Sequence, residues 1–76
     1  MLNNKINKIA TELTMALIQN DDNKLNTIDE QVENLSKKDI KKLIDVLNKN
    51  ASELIDTQDD IAYCLLDFVG DYKELL

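Results

Sequence analysis

The scarcity of residues that interrupt helices is the strongest constraint on how this chain can fold. Its 76 residues include no proline, and Gly70 is the only glycine. These two residue types normally punctuate strands and tight turns. Apolar residues instead recur at spacings of three and four along the chain, which is the period of an amphipathic helix. The sequence therefore predicts an all-α protein.

Four helices with short connections account for the apolar pattern. We predict helices over residues 2–19, 24–35, 37–56 and 58–75. Helices joined in this way form a small antiparallel helical bundle. A chain this short forms at most one domain, so we expect residues 1–76 to be a single helical domain with a marginal core.

Polar side chains mark the helix ends. The cluster at residues 20–23 is predicted to be a turn that also caps the second helix. Ser36 and Thr57 each precede an aspartate by three residues, which resembles a capping box and would start the third and fourth helices. Asn48 and Asn50 leave the end of the third helix open, near residue 49 or near residue 56.

The chain is poorly supplied with catalytic and metal-binding residue types. It has no histidine, so the lone thiol of Cys64 lacks the usual base, and we interpret Cys64 as a small, buried apolar residue. The two candidate EF-hand loops have Asn26 and Ile61 where glycine is required. One cysteine does not make a zinc site. We therefore expect no enzyme activity, no catalytic residue, no metal and no cofactor.

Two features bear on location and on nucleic acids. No apolar run approaches the roughly 20 residues of a membrane helix, and Asn3, Asn4 and Asn7 interrupt the stretch that a signal peptide would need, so we expect a cytoplasmic protein. Clustered lysines open the third helix, as in a helix-turn-helix protein. However, the chain has no arginine and a net charge of −6, so we expect no nucleic-acid binding.

The negative charge is concentrated in the last third of the chain. Residues 1–52 contain eight lysines and eight acidic residues, whereas residues 53–76 contain seven acidic residues and only Lys73. Four carboxylates of the last helix fall within about 60° on a helical wheel. We call them the acidic ridge: Asp60, Asp67, Asp71 and Glu74. Tyr63 flanks it. The ridge is either an ordinary solvated helix face or a docking stripe for a basic partner.

The apolar side of the same helix is unusually wide. It sweeps about 200°, more than one helix interface requires. Its members are Ile61, Ala62, Cys64, Leu65, Leu66, Phe68, Val69, Tyr72, Leu75 and Leu76. Either this helix is central to the bundle, or part of the arc covers a dimer mate or a target. Met15, Ile18 and Val46 lie off their own apolar stripes and are candidates to extend such a surface.

These patterns favour a small acidic regulator or inhibitor that docks on a protein partner through its C-terminal helix, using the surplus apolar arc and, where the partner has a basic surface, the acidic ridge. Antitoxin-like, immunity-like and phage-encoded inhibitors all fit this description, and no motif selects among them. The alternatives are an acidic mimic of nucleic acid and a structural homodimeric assembly protein, and we expect a homodimer. The predicted partner-binding residues are Asp60, Tyr63, Leu66, Asp67, Asp71 and Glu74.

Overall fold

The computed structural model of the chain describes residues 4–76, which form four helices and, within that range, no strand. In chain order they are α1 (Asn4–Gln19), α2 (Asp22–Glu33), α3 (Lys37–Leu54) and α4 (Asp59–Lys73). The prediction of a small all-α helical bundle is confirmed. The predicted start of the first helix at residue 2 lies outside the described residues.

The turn between α1 and α2 is built by asparagine and aspartate. Asn20 adopts a left-handed conformation with φ of 54°. Its N–H donates to the carbonyl of Leu17 at 3.4 Å, and the N–H of Asp21 donates to the carbonyl of Ala16 at 2.9 Å. This is the Schellman pattern that ends a helix. Asp21 Oδ1 then accepts from the N–H of Lys24 at 3.1 Å, so α2 begins two residues earlier than predicted.

The N-cap predicted for α3 is present. Ser36 Oγ accepts a hydrogen bond from the N–H of Asp39 at 3.2 Å. α2 ends at Glu33, two residues before its predicted end, because the N–H groups of Asn34 and Leu35 bond to carbonyls three residues back and tighten the last turn.

The predicted cap of α4 was wrong. Thr57 lies in the turn, where its N–H and that of Gln58 both donate to the carbonyl of Leu54, at 3.2 and 2.7 Å. That turn moves the N-cap to Gln58, whose side chain makes no capping hydrogen bond. α3 continues through Asn48 and Asn50, and it ends two residues before the predicted residue 56. α4 starts one residue later and ends two residues earlier than predicted.

One hydrophobic core joins all four helices. Its fully buried members include Leu13, Ile28, Leu43, Leu47 and Leu65. α4 packs chiefly against α3 and also against α1, while α2 packs mainly on α1. Burial recurs at spacings of three and four on each helix, as the apolar pattern predicts.

Candidate protein-binding surface

Most residues of the wide apolar arc of α4 pack inside the chain. Ala62, Leu65, Val69 and Tyr72 are buried. Ile61, Cys64 and Phe68 are partly buried. Because α4 contacts both α3 and α1, a broad stripe is what its position in the bundle requires. Of the arc, Leu66, Leu75 and Leu76 remain exposed.

Tyr72 links this inner face to α2. Its hydroxyl donates to Asp29 Oδ1 at 3.0 Å, and its ring lies 5.8 Å from that of Phe68, tilted by 46°. Burial, and then the charges of Asp29 and Asp71, raise the pKa of the Tyr72 hydroxyl far above its ordinary value. The neutral hydroxyl therefore stays a donor to the Asp29 carboxylate.

The acidic ridge lies on the opposite side of α4. Asp60, Asp67, Asp71 and Glu74 are all exposed. In the part of the chain that the structure describes, the only ion pair joins Lys24 Nζ to Glu12 Oε2 at 3.7 Å, so no lysine there forms an ion pair with the ridge.

Carboxylates of α2 extend the ridge at its C-terminal end. Asp29 and Glu33 line a shallow cleft of about 170 Å³ together with Asp71, Tyr72 and Leu75. Negative charge from two helices therefore surrounds this cleft, and the pKa of the Tyr72 hydroxyl is raised partly by that charge.

Three of the four ridge carboxylates oppose the stability of their own helix, whereas Asp60 lies in its first turn, where the dipole favours negative charge. Asp67 and Asp71 are four residues apart, a spacing at which like charges repel by about 0.2–0.5 kcal/mol on a helix surface. Asp71 and Glu74 lie at the C-terminal end of α4, where the helix dipole also disfavours negative charge. These residues thus make no stabilising contact that accounts for their arrangement.

Beside the ridge runs an exposed stripe of three residues, which we call the outer stripe: Tyr63, Leu66 and Gly70. The spacing of three and four residues places them on one side of α4. The side chains of Tyr63 and Leu66 are 58% and 40% exposed. A methyl group added at Gly70 would meet no atom within 4 Å.

Gly70 has no explanation in the fold. It does not adopt a positive φ, and nothing packs on it that a side chain would displace. A glycine within a helix lowers stability by about 0.5–1 kcal/mol relative to alanine. The outer stripe therefore combines an aromatic ring, an aliphatic side chain and bare backbone, all facing solvent.

A groove adjoins the outer stripe. Leu66 forms one wall, and Ala51, Ser52 and Ile55 at the C-terminal end of α3 form the rest, around a volume of about 220 Å³. The candidate site thus spans two helices, whereas the six partner-binding residues predicted from the sequence all belong to the last one.

Two other sets of residues contribute less. Met15 and Ile18 lie on the outer face of α1 and are 47% and 46% exposed, which agrees with their positions off the apolar stripe. Val46, in contrast, is partly buried and packs against the core, so it does not extend an exposed surface. A separate open groove of about 380 Å³ between α1 and α2 is lined by residues that include Lys5, Lys8, Ile9 and Gln31.

Among residues 4–76, no group of three or more potential ligands is placed to hold a metal ion. None of the four helices in that range combines the length and the apolar character needed to cross a bilayer.

The structure places all six predicted partner-binding residues on the exposed side of α4. Gly70, the groove residues of α3 and the Asp29 carboxylate lie beside these predicted residues. Gly70 could have been recognised from the sequence as a lone glycine within a helical pattern. The pairing of Asp29 with Tyr72 could not, because these residues are 43 positions apart.

Comparisons of the chain with protein-family models, curated proteins and solved structures found no match. The geometry of the outer face of α4 is therefore the basis for assigning a function.

Proposed function

We propose that the protein is a small regulator or inhibitor that binds a basic surface of a protein partner through the outer face of α4. The supporting observation is that the acidic ridge and the outer stripe lie side by side and are both exposed. No lysine among residues 4–76 forms an ion pair with the ridge. The free Cys64 suits a reducing compartment, so we expect the protein to act in the cytoplasm.

The two parts of the surface would do different work. Uncompensated carboxylates raise the rate of encounter with a basic partner, and their effect falls as salt screens them. Tyr63 and Leu66 would supply contact area that survives salt, since a few aromatic and aliphatic residues dominate most protein interfaces. A site of this kind acts by occupying the partner's surface and requires no chemical step.

The test is site-specific photo-crosslinking in cells that express the full chain. A photoreactive phenylalanine at position 63 should form an adduct with a specific heterologous protein, and the same residue at exposed position 26 on α2 should not. The adduct should disappear when Asp60, Asp67 and Asp71 are changed to asparagine, and also in Leu66→Glu.

A charge-matched control isolates the ridge. The triple variant Asp22→Asn, Glu30→Gln and Asp45→Asn removes the same charge from exposed positions on α2 and α3, and it should leave the adduct intact. If both triple variants weaken crosslinking equally, only net charge matters and the proposed site is refuted. A partner that binds nucleic acid and dissociates steeply as salt rises would instead indicate an acidic mimic.

A further inference from the structure

We infer that the part of the partner that binds here is an amphipathic α-helix, crossing α4 over Gly70 with lysine or arginine on the side of the acidic ridge. This inference rests on the proposed function and specifies the partner's chemistry. In this arrangement, small or apolar side chains of the partner would lie against the outer stripe.

The outer stripe has the dimensions of a helix contact. Tyr63 and Gly70 are seven residues apart, so the stripe is about 10 Å long at a rise of 1.5 Å per residue. Tyr63 and Leu66 project from the outer stripe on the N-terminal side of Gly70. At Gly70 itself the backbone is bare and the space above it is open. Interaxial distances between packed helices depend on the side chains at the contact, and glycine allows the closest approach.

The neighbouring groove fits the same occupant. A ridge of side chains on an incoming helix can lie between α3 and α4, with Leu66 on one side and Ile55 on the other. Ala51 and Ser52 are small and leave the floor of the groove free. Recognition of this type uses anchors spaced three and four residues apart on the bound helix.

Extended peptides fit this surface less well. A peptide that binds as an added strand needs an exposed sheet edge, and residues 4–76 contain no strand. A polyproline segment needs a groove lined by several aromatic rings, whereas Tyr63 is the only aromatic residue of the outer stripe and groove.

The ridge defines the charge of the occupant. Its four carboxylates follow one edge of the outer stripe and have no cationic partner among the described residues. Lysine or arginine on one flank of the bound helix would meet them. A second copy of this chain would instead bring the same carboxylates to the contact, and Lys73 is the only base on α4.

The probe is a random library of 20-residue peptides selected against the immobilised full chain. Selected peptides are measured by fluorescence anisotropy against the wild-type chain and against Gly70→Leu, Gly70→Gln and the matched surface variant Asn26→Leu. Circular dichroism of the bound peptides reports their conformation. Both Gly70 substitutions introduce better helix formers at an open position, and thermal unfolding verifies that the variants fold.

We expect peptides that become helical on binding, carry lysine or arginine along one side, and bind both Gly70 variants at least tenfold more weakly. Asn26→Leu should change their affinity less than twofold. Peptides that bind as extended chains, or a selection with no binder sensitive to Gly70, would overturn the inference.

A dimer of the chain that Gly70→Leu dissociates would assign the surface to a second copy and overturn it as well. Crosslinking at position 63 that is lost in the ridge variant but retained in Gly70→Leu would refute the inference that the partner binds as a helix over Gly70. That result would leave the proposed function intact.

Discussion

The two sides of α4 differ in how their residues contribute to the stability of the fold. On the inner side, Leu65, Val69 and Tyr72 are buried in the core, and the Tyr72 hydroxyl donates to Asp29. On the outer side, carboxylates repel one another, an aromatic ring faces solvent, and Gly70 has nothing against it. Both sides belong to one helix, so the contrast lies between two faces of α4 and not between two segments of the chain.

The difference separates what the fold requires from what it tolerates. Residues of the inner side lower the free energy of the folded chain by burial and hydrogen bonding. On the outer side it is raised slightly by Asp67, Asp71 and Glu74, through repulsion and conflict with the helix dipole, and by Gly70, through backbone entropy. Costs of this kind without a structural benefit are typical of surfaces that natural proteins keep for function.

The adjacent pair Leu65 and Leu66 gives the largest test of this contrast. Leu65→Ala should lower the free energy of unfolding by about 2–5 kcal/mol, because it leaves a cavity in the core. Leu66→Ala removes the same atoms from a side chain that is 40% exposed and leaves no closed cavity, so it should cost only about 1 kcal/mol. Urea titrations measure both. Similar losses would mean that Leu66 is also a core residue.

The hydrogen bond between Tyr72 and Asp29 should come next. Tyr72→Phe keeps the ring and its contact with Phe68 but removes the donor, so it should cost about 1.5 kcal/mol. Tyr63→Phe is the matched control on the outer side and should change stability by less than about 0.5 kcal/mol. Equal effects on the free energy of unfolding would remove the distinction between the two tyrosines.

The same hydroxyl predicts a pH dependence. Because the pKa of Tyr72 is raised in the folded chain, the unfolded chain loses this proton first, from its ordinary pKa of 10.0 upward. The stabilisation is therefore complete below pH 10 and is lost as pH rises above it, by on the order of 1 kcal/mol per pH unit. The free energy of unfolding of Tyr72→Phe should therefore fall less steeply than that of the wild type between pH 9 and 11. The lysines are the same in both proteins, so the difference between the two curves isolates Tyr72.

Sequence periodicity predicts every helix end after the start of α1 to within about two residues, because burial on one side of a helix is a repeating signal. Thr57 is an example of a helix boundary that periodicity does not locate. The end of α3 is determined by how its last carbonyls pair in the turn, and two amides donate to Leu54. The acidic ridge was readable on a single helix, whereas the groove between Leu66 and Ile55 needed the packing of α3 on α4.

A smaller test concerns the backbone at Gly70. Gly70→Ala should raise the free energy of unfolding by about 0.5–1 kcal/mol, because alanine is the better helix former and its methyl group meets nothing. Differential scanning calorimetry should record a higher midpoint. A destabilised Gly70→Ala protein would indicate that the fold itself needs the glycine, and its proposed role in close contact with a partner would lose support.

The smallest expected effect is also the one that bears most directly on the ridge. Asp67→Asn with Asp71→Asn removes a repulsive pair and relieves the C-terminal end of α4, so the free energy of unfolding should rise by a few tenths of a kcal/mol. The gain should shrink in 0.5 M salt, because exposed charges are screened over a few ångströms at that ionic strength. Asp22→Asn should act in the opposite direction, since Asp22 lies in the first turn of α2, where the dipole favours it. If the double variant is destabilised instead, the ridge stabilises the fold, and its exposed charge is no longer evidence for a binding partner.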